Sequence, residues 1–329
     1  MNASELLGPY RPLMRDARHW EVTCLLLEWS LRHAFRRVEP ALLAREAFVA
    51  SAFEAYCCPP DATLEENLLG AKFIVCFLKA DDGPSEELAA FLSPSEEHVS
   101  APTELRACYD SWLEELHRLG RDTRSPQAAF RKMCECMRAE RELERQAVTE
   151  AQYRELRQYI VAVPAYVACW TAIRALSPSE RASEALERSG LLQVTAELVY
   201  TSNDLGSLER DEEAARQQPS GGDLNLVLLR ARETGNLQEA VRQVMALYHE
   251  RVRDFVRLRA QLADTEHWRE RAVRDSVELL RGVANGNLTT TRELMATRYP
   301  GALPRLEGLP EVPPALAARP WDARVRRGV

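Results

Sequence analysis

An all-α bundle is the fold that this chain of 329 residues predicts. Three observations carry that expectation. Apolar residues recur at helical spacing from about residue 17 to about residue 298, and no stretch alternates apolar with polar as a half-buried strand does. Only 14 residues are glycine, too few for a turn-rich β architecture. The segments between the periodic runs are short and carry proline, glycine or serine: PPDAT, GPSEE, SPSEEHVSAPTE, ALSPSERASE and RQQPSGGD. Short connections of this kind suit one packed helical domain.

The helices follow in order. EVTCLLLEWSLRHAF places Cys24, Leu27, Leu31, Ala34 and Phe35 on one stripe. EENLLGAKFIVCFLKADD is strongly apolar until it meets two aspartates. TELRACYDSWLEELHRL and QAAFRKMCECMRAERELERQA are amphipathic. EAQYRELRQYIVAV runs to a break at Pro164, because a proline in a helix interior removes a hydrogen bond and clashes with the preceding turn. SGLLQVTAELVYTSNDLGSLERDEE, GGDLNLVLLRARETG, LQEAVRQVMALYHERVRDFVRLRAQLADT and HWRERAVRDSVELLRGVANGNL complete the set. Residues 1–299 read as one helical domain. The stretch 300–329 is rich in proline and reads as a loose C-terminal tail or lid.

Composition bounds the function. The net charge of −7 comes with no basic stripe, so nucleic acid is not an expected partner. The longest apolar run, IVAVPAYVACWTAI, is too short to span a bilayer and is interrupted by Pro164. The N-terminus lacks the layout of a signal peptide. The eight cysteines lack zinc spacing and read as reduced thiols, which places the protein in the cytoplasm.

Three polar clusters stand out. Asn203, Ser207 and Asp211 are spaced i, i+4, i+8, so they share one helix face directly after residues that look buried. An amide oxygen, a hydroxyl and a carboxylate are hard ligands of the kind that Mg²⁺ accepts, and Arg210 stands beside them. Asp81 and Asp82 end an apolar helix that carries Phe73 and Phe77, and Glu86 lies four residues beyond Asp82. Two carboxylates at a helix C-terminus oppose the macrodipole; a divalent ion would offset that cost. The third cluster is cationic: Arg157, leading into the buried-looking run, and Arg298-Tyr299. A buried arginine needs a partner, either an internal carboxylate or a phosphate held bidentately.

On these residues the chain resembles the class I terpene synthases, in particular the bacterial single-domain terpene cyclases. Asp81-Asp82-Gly83-Pro84-Ser85-Glu86 resembles their aspartate-rich motif. Asn203-Asp204-Leu205-Gly206-Ser207-Leu208-Glu209-Arg210-Asp211 resembles their second metal motif. Arg157 matches their pyrophosphate-sensing arginine, and Arg298-Tyr299 their C-terminal Arg-Tyr pair. GGDLNLVLL, with Asn225, is similar to the segment that follows the second motif. The likeness covers roughly residues 70 to 300. Three departures accompany it: Asp211 stands where the family usually has Glu, Pro84 follows the acid pair closely, and the stretch TTTRELMATRY has no tryptophan about two turns before the Arg-Tyr pair.

The resemblance implies a helical bundle around a central apolar cavity and a lyase that ionises an isoprenyl diphosphate with three Mg²⁺ ions. Asp81, Asp82 and Glu86 would hold metal on one side; Asn203, Ser207 and Asp211 would hold it on the other. Arg157, Arg210, Arg298 and Tyr299 would grip the diphosphate. Ile160 and Val161, a turn after Arg157, occupy the place where the family triggers ionisation. Phe73, Phe77, Tyr166 and Trp170 would face the carbocation. Farnesyl diphosphate is the expected substrate, with geranylgeranyl and geranyl diphosphate as alternatives. One aspartate-rich motif rather than two favours cyclisation over chain elongation. A non-catalytic helical protein that kept the fold is the reading from another class. A homodimer is a further option.

Overall fold

The computed structural model describes residues 3–33, 39–93, 103–143, 148–217, 224–293 and 303–315, and among them every regular element is a helix. The chain opens with α1 (Ala3–Leu7), a 3-10 turn, α2 (Ala17–His33) and α3 (Pro40–Cys57). Next come α4 (Leu64–Asp82), α5 (Ser85–Leu92), α6 (Glu104–Arg118) and α7 (Arg124–Glu142). The second half holds α8 (Glu150–Ile160), α9 (Val163–Ile173), α10 (Glu180–Arg188), α11 (Leu191–Gln217) and α12 (Leu226–Thr234). It ends with α13 (Leu237–Ala263), α14 (Arg271–Glu293) and the short α15 (Leu303–Leu306). No helix among the described residues is long and apolar enough to cross a membrane.

Local sequence explains where the motif helices begin. Thr63 and Glu66 form a reciprocal capping box at the start of α4, and Thr149 with Gln152 does the same for α8. Asn225 caps α12 by accepting the Val227 N–H at 2.9 Å. The predicted break before α9 is present, and its hinge is Ala162, which takes a left-handed conformation at φ 59°. Pro164 sits in the first turn of α9, where its missing N–H costs nothing.

Two apolar clusters form the core. One lies among α2 to α7 and α9, the other among α8 and α10 to α15; both reach Val161, Val167 and Leu192. The α11 helix joins them, packing on α13 and α14. Gly206 permits the second contact, since a Cβ there would stand 2.8 Å from Thr291 Cγ2. The stripe expected on α2 is corrected in part. Leu27 is buried, but Leu31 is 39% exposed, and Val22, Leu26 and Trp29 supply the buried side where α2 meets α3 and α4. Within the stretch read as a loose tail or lid, residues 303–315 are packed. Leu306, Leu309 and Val312 are buried, and Arg292 and Asn285 bond to the backbone of Leu306 and Val312.

Candidate active site

The sequence of α11 places Asn203, Ser207 and Asp211 in a ladder, and the fold buries its last two members and half-buries Asn203. Ser207 and Asp211 are 3% and 2% exposed. Ser207 donates to Asp211 Oδ2 at 2.5 Å, which leaves its oxygen lone pairs open to a ligand. Asp211 Oδ1 is held by Arg210, with Nε at 2.9 Å, and Oδ2 also accepts from Asn225 Nδ2 at 2.9 Å. Asn203 Oδ1 accepts from Asn287 on α14 at 3.1 Å. These bonds fix the three oxygens before any ligand arrives.

Arg157 resolves one open alternative. Its guanidinium, 14% exposed, pairs with fully buried Asp204 at 3.1 Å. Asp204 also accepts from the Tyr153 hydroxyl and from the Leu226 N–H. Burial would lower the Arg157 pKa, but Asp204, then Tyr153, Glu140 and Asp81, outweigh it and hold the group well above its ordinary value. Burial pushes the Asp204 carboxyl up, opposed chiefly by Arg157. The Arg157 Nε–H is buried and, among the described residues, has no hydrogen-bond partner. The internal ion pair therefore exists, and it leaves a donor uncommitted.

Asp81 and Asp82 end α4, Asp81 partly buried and Asp82 exposed. Arg141 of α7 donates to the carbonyls of Ala80 and Asp81, both at 2.8 Å, and so brings a cation to the helix end that the paired acids burden. Pro84 caps the start of α5, so Glu86 stands on a separate helix and is exposed. A cleft of about 450 Å³ has both Asp82 and Arg210 in its lining, with Arg45 and Glu46 of α3. The end of α4 and Arg210 of α11, which holds Asp211, therefore face one cleft. Among the described residues no three His, Cys, Asp or Glu side chains group as a metal cage. The ladder fits a divalent ion through the hard oxygens of Asn203 and Ser207 beside one carboxylate.

Phe73 and Tyr166 belong to a buried aromatic cluster, with Phe73 at 5.5 Å from Trp112, 5.8 Å from Phe130 and 6.1 Å from Tyr166 between ring centroids. Phe77 is half-buried, one turn before Asp81. Trp170 lies lower and lines a different cavity. Val161 ends α8, immediately before the left-handed Ala162. Arg298 and Tyr299 lie outside the described residues. Sequence reasoning missed Tyr153, Asn287 and Arg141 as partners, and it noted Asn225 without its role. The i+21 bond from Asn225 to the Asp204 carbonyl is a tertiary contact that spacing does not reveal.

Residues 85–254 match the family model described as terpene synthase family 2, C-terminal metal binding. The match takes in Glu86, Arg157 and the α11 ladder and begins just after Asp82. No curated protein matches the chain in sequence. Solved structures share its fold. The linalool/nerolidol synthase of Streptomyces clavuligerus, in complex with 2-fluorogeranyl diphosphate, superposes with TM-score 0.67 at 20% identity, over 85% of this chain and 99% of that one. The 2-methylisoborneol synthase of Streptomyces coelicolor A3(2), in complex with Mg²⁺ and geranyl-S-thiolodiphosphate, gives 0.69 at 18%, over 86% and 92%. Hedycaryol synthase in complex with nerolidol gives 0.63 at 20%, over 84% and 94%.

Proposed function

The chain belongs to terpene synthase family 2 and is a class I terpene synthase, a lyase acting on diphosphates; from that premise we propose that it ionises farnesyl diphosphate and cyclises the resulting carbocation. The observation that carries this reading is the ladder of Asn203, Ser207 and Asp211 on α11, its serine and aspartate buried. Nothing in helix stability calls for an amide, a hydroxyl and a carboxylate in line there.

Magnesium, three ions in this reading, supplies when bound the Lewis acidity that stabilises charge on the departing diphosphate. Asn203, Ser207 and Asp211 would hold metal from α11, and Asp81, Asp82 and Glu86 would hold it from the end of α4 and the start of α5. Arg157 binds a diphosphate oxygen through its uncommitted Nε–H, its plane fixed by Asp204. Arg210, Arg298 and Tyr299 complete the grip. Val161 shapes the wall where α8 gives way to α9. Phe73, Phe77 and Tyr166 offer ring faces to the cation and keep the chamber dry, whereas Trp170, expected among them, lines the separate cavity. Residues 1–299 are the catalytic unit, and 300–329 form a C-terminal tail or lid of which 303–315 are packed on the bundle.

The test is incubation of the purified chain with Mg²⁺ and geranyl, farnesyl or geranylgeranyl diphosphate, with products read by gas chromatography–mass spectrometry. A cyclic C15 product, lost with EDTA, is expected. A product from one of the other substrates alone would reassign the chain length. No product from any would remove the catalytic reading.

A further inference from the structure

Glu54 stands on α3 and is 1% exposed. Among the described residues it has no ion-pair partner. Tyr166 donates its hydroxyl to Oε2 at 2.9 Å, and the Trp170 indole lies beside the carboxyl. Oε1 has no hydrogen-bond partner. The carboxyl rests against α4 at Gly70, where a Cβ would stand 2.3 Å from Oε2 and 2.6 Å from Oε1. The seat exists because residue 70 has no side chain. Burial, opposed by Tyr166 and Trp170, pushes the group well above the usual carboxyl value of 4.5. A neutral acid whose Oε2 accepts from Tyr166 carries its own proton on Oε1.

Glu54 also lines a cavity of about 780 Å³ at the base of the bundle. Asn67, in the same lining, lies roughly 21 Å along α4 from Asp81. The rim carries Asp61 and Arg271, 67% and 80% exposed, so the cavity meets solvent. Inside it His19 Nε2 and Asn67 Oδ1 are buried and unpartnered. The Arg15 N–H donates to His19 Nδ1 at 3.1 Å, so Nε2 bears the ring proton. These groups can order a file of solvent water. Tyr166 connects the acid to the interior, since its ring packs against Phe73.

We propose that Tyr166 and Glu54 form a proton exit that ends the reaction by making an olefin. The last carbocation loses a proton from the carbon beside its cationic centre to the Tyr166 oxygen. Tyr166 passes its own proton to Glu54 Oε2, and Glu54 releases the proton on Oε1 to water in the base cavity. The electrons of the broken C–H bond become the new C=C bond, and one proton reaches solvent. Rotation of the carboxyl resets the pair. Neutrality matters, because a carboxylate there would capture the cation as an ester. The relay deepens the proposed function and rests on it.

The experiment measures olefin and alcohol formed per diphosphate released by the full chain with Mg²⁺ and the substrate that it turns over. Wild type is compared with Glu54→Gln, Tyr166→Phe and Gly70→Ala, the last displacing the carboxyl without removing it. The wild-type olefin share is expected to fall about tenfold or more in each variant that folds, replaced by alcohols or isomeric olefins. An unchanged product mixture overturns the relay, as does a wild type that makes only alcohol. A second readout needs no turnover: the infrared difference between wild type and Glu54→Gln at neutral pH. A carboxylic-acid C=O band supports the relay, and carboxylate bands in its place overturn it even if diphosphate is released. No diphosphate release by wild type overturns the enzymatic reading, and the relay with it.

Discussion

Asp211 shows how one side chain meets several demands. It is 2% exposed, yet it is ringed by Arg210, Asn225 and Ser207, so its charge is matched within hydrogen-bond reach. Asp211→Ala would leave Arg210 and Asn225 facing a void. The expected result is a rise of at least about tenfold in the Mg²⁺ concentration for half-maximal diphosphate release, read by titration. Glu54 gives a prediction about stability. Its folded-state pKa lies well above the ordinary 4.5, so over the pH range just above 4.5 the native chain holds a proton that the unfolded chain has lost. The resulting stabilisation is complete below pH 4.5 and declines as pH rises toward the folded value. Glu54→Gln removes that slope. Urea unfolding at rising pH above 4.5 should show the variant gaining on wild type by up to about 1.4 kcal/mol per pH unit; parallel curves would contradict the burial of the acid.

At the scale of elements, α4, α11 and the α8–α9 break were legible because each combines strong periodicity with an abrupt polar or proline signal. The helix α3 was not read from the sequence. Its residues Leu43, Ala44, Ala47, Phe48, Val49, Ala50 and Ala52 are buried on nearly every side, and a helix apolar all round lacks a periodic stripe. Glu54 and Arg45 were missed with it. The helices α5 and α10 were hidden inside segments read as linkers, since SEELAAFL and ERASEALER are short and begin after proline and serine. The pairing of Arg157 with Asp204 was legible only as one of two alternatives, because 47 residues of sequence separate them. Asn225 ties α12 to α11, and substitution can separate its two duties. Asn225→Ser keeps a helix cap but cannot reach Asp211, so stability should fall by under about 1 kcal/mol while Mg²⁺ affinity falls about 10–100-fold. Calorimetry and titration would distinguish the two losses. Ala162 carries a left-handed conformation that costs an L-residue about 1–2 kcal/mol. Ala162→Gly should therefore leave the chain as stable or more so, whereas Ala162→Val should destabilise it, both read by thermal melting.

For the whole molecule, the net charge of −7 and the binding of an anionic group are compatible because the positive field is local. Arg45 and Arg210 line the mouth, Arg157 is held against Asp204 of α11, and the ladder on that helix has the chemistry to recruit metal. The segment 303–315 ties the end of the chain back to this region. Arg305 donates to the Leu205 carbonyl on α11 at 3.0 Å, and fully buried Leu306 fills the space beside it. Leu306→Ala should cost about 2–5 kcal/mol in denaturant unfolding; a cost near zero would show that the segment is not anchored there.

The central claim is metal-dependent ionisation of an isoprenyl diphosphate at the α11 ladder, and the most direct measurement is diphosphate release from farnesyl diphosphate by the purified chain. Release is expected to require Mg²⁺, to stop with EDTA, and to be lost in Asn203→Ala while that variant melts as the wild type does. Release that persists in EDTA, or that Asn203→Ala leaves at the wild-type rate, would contradict it.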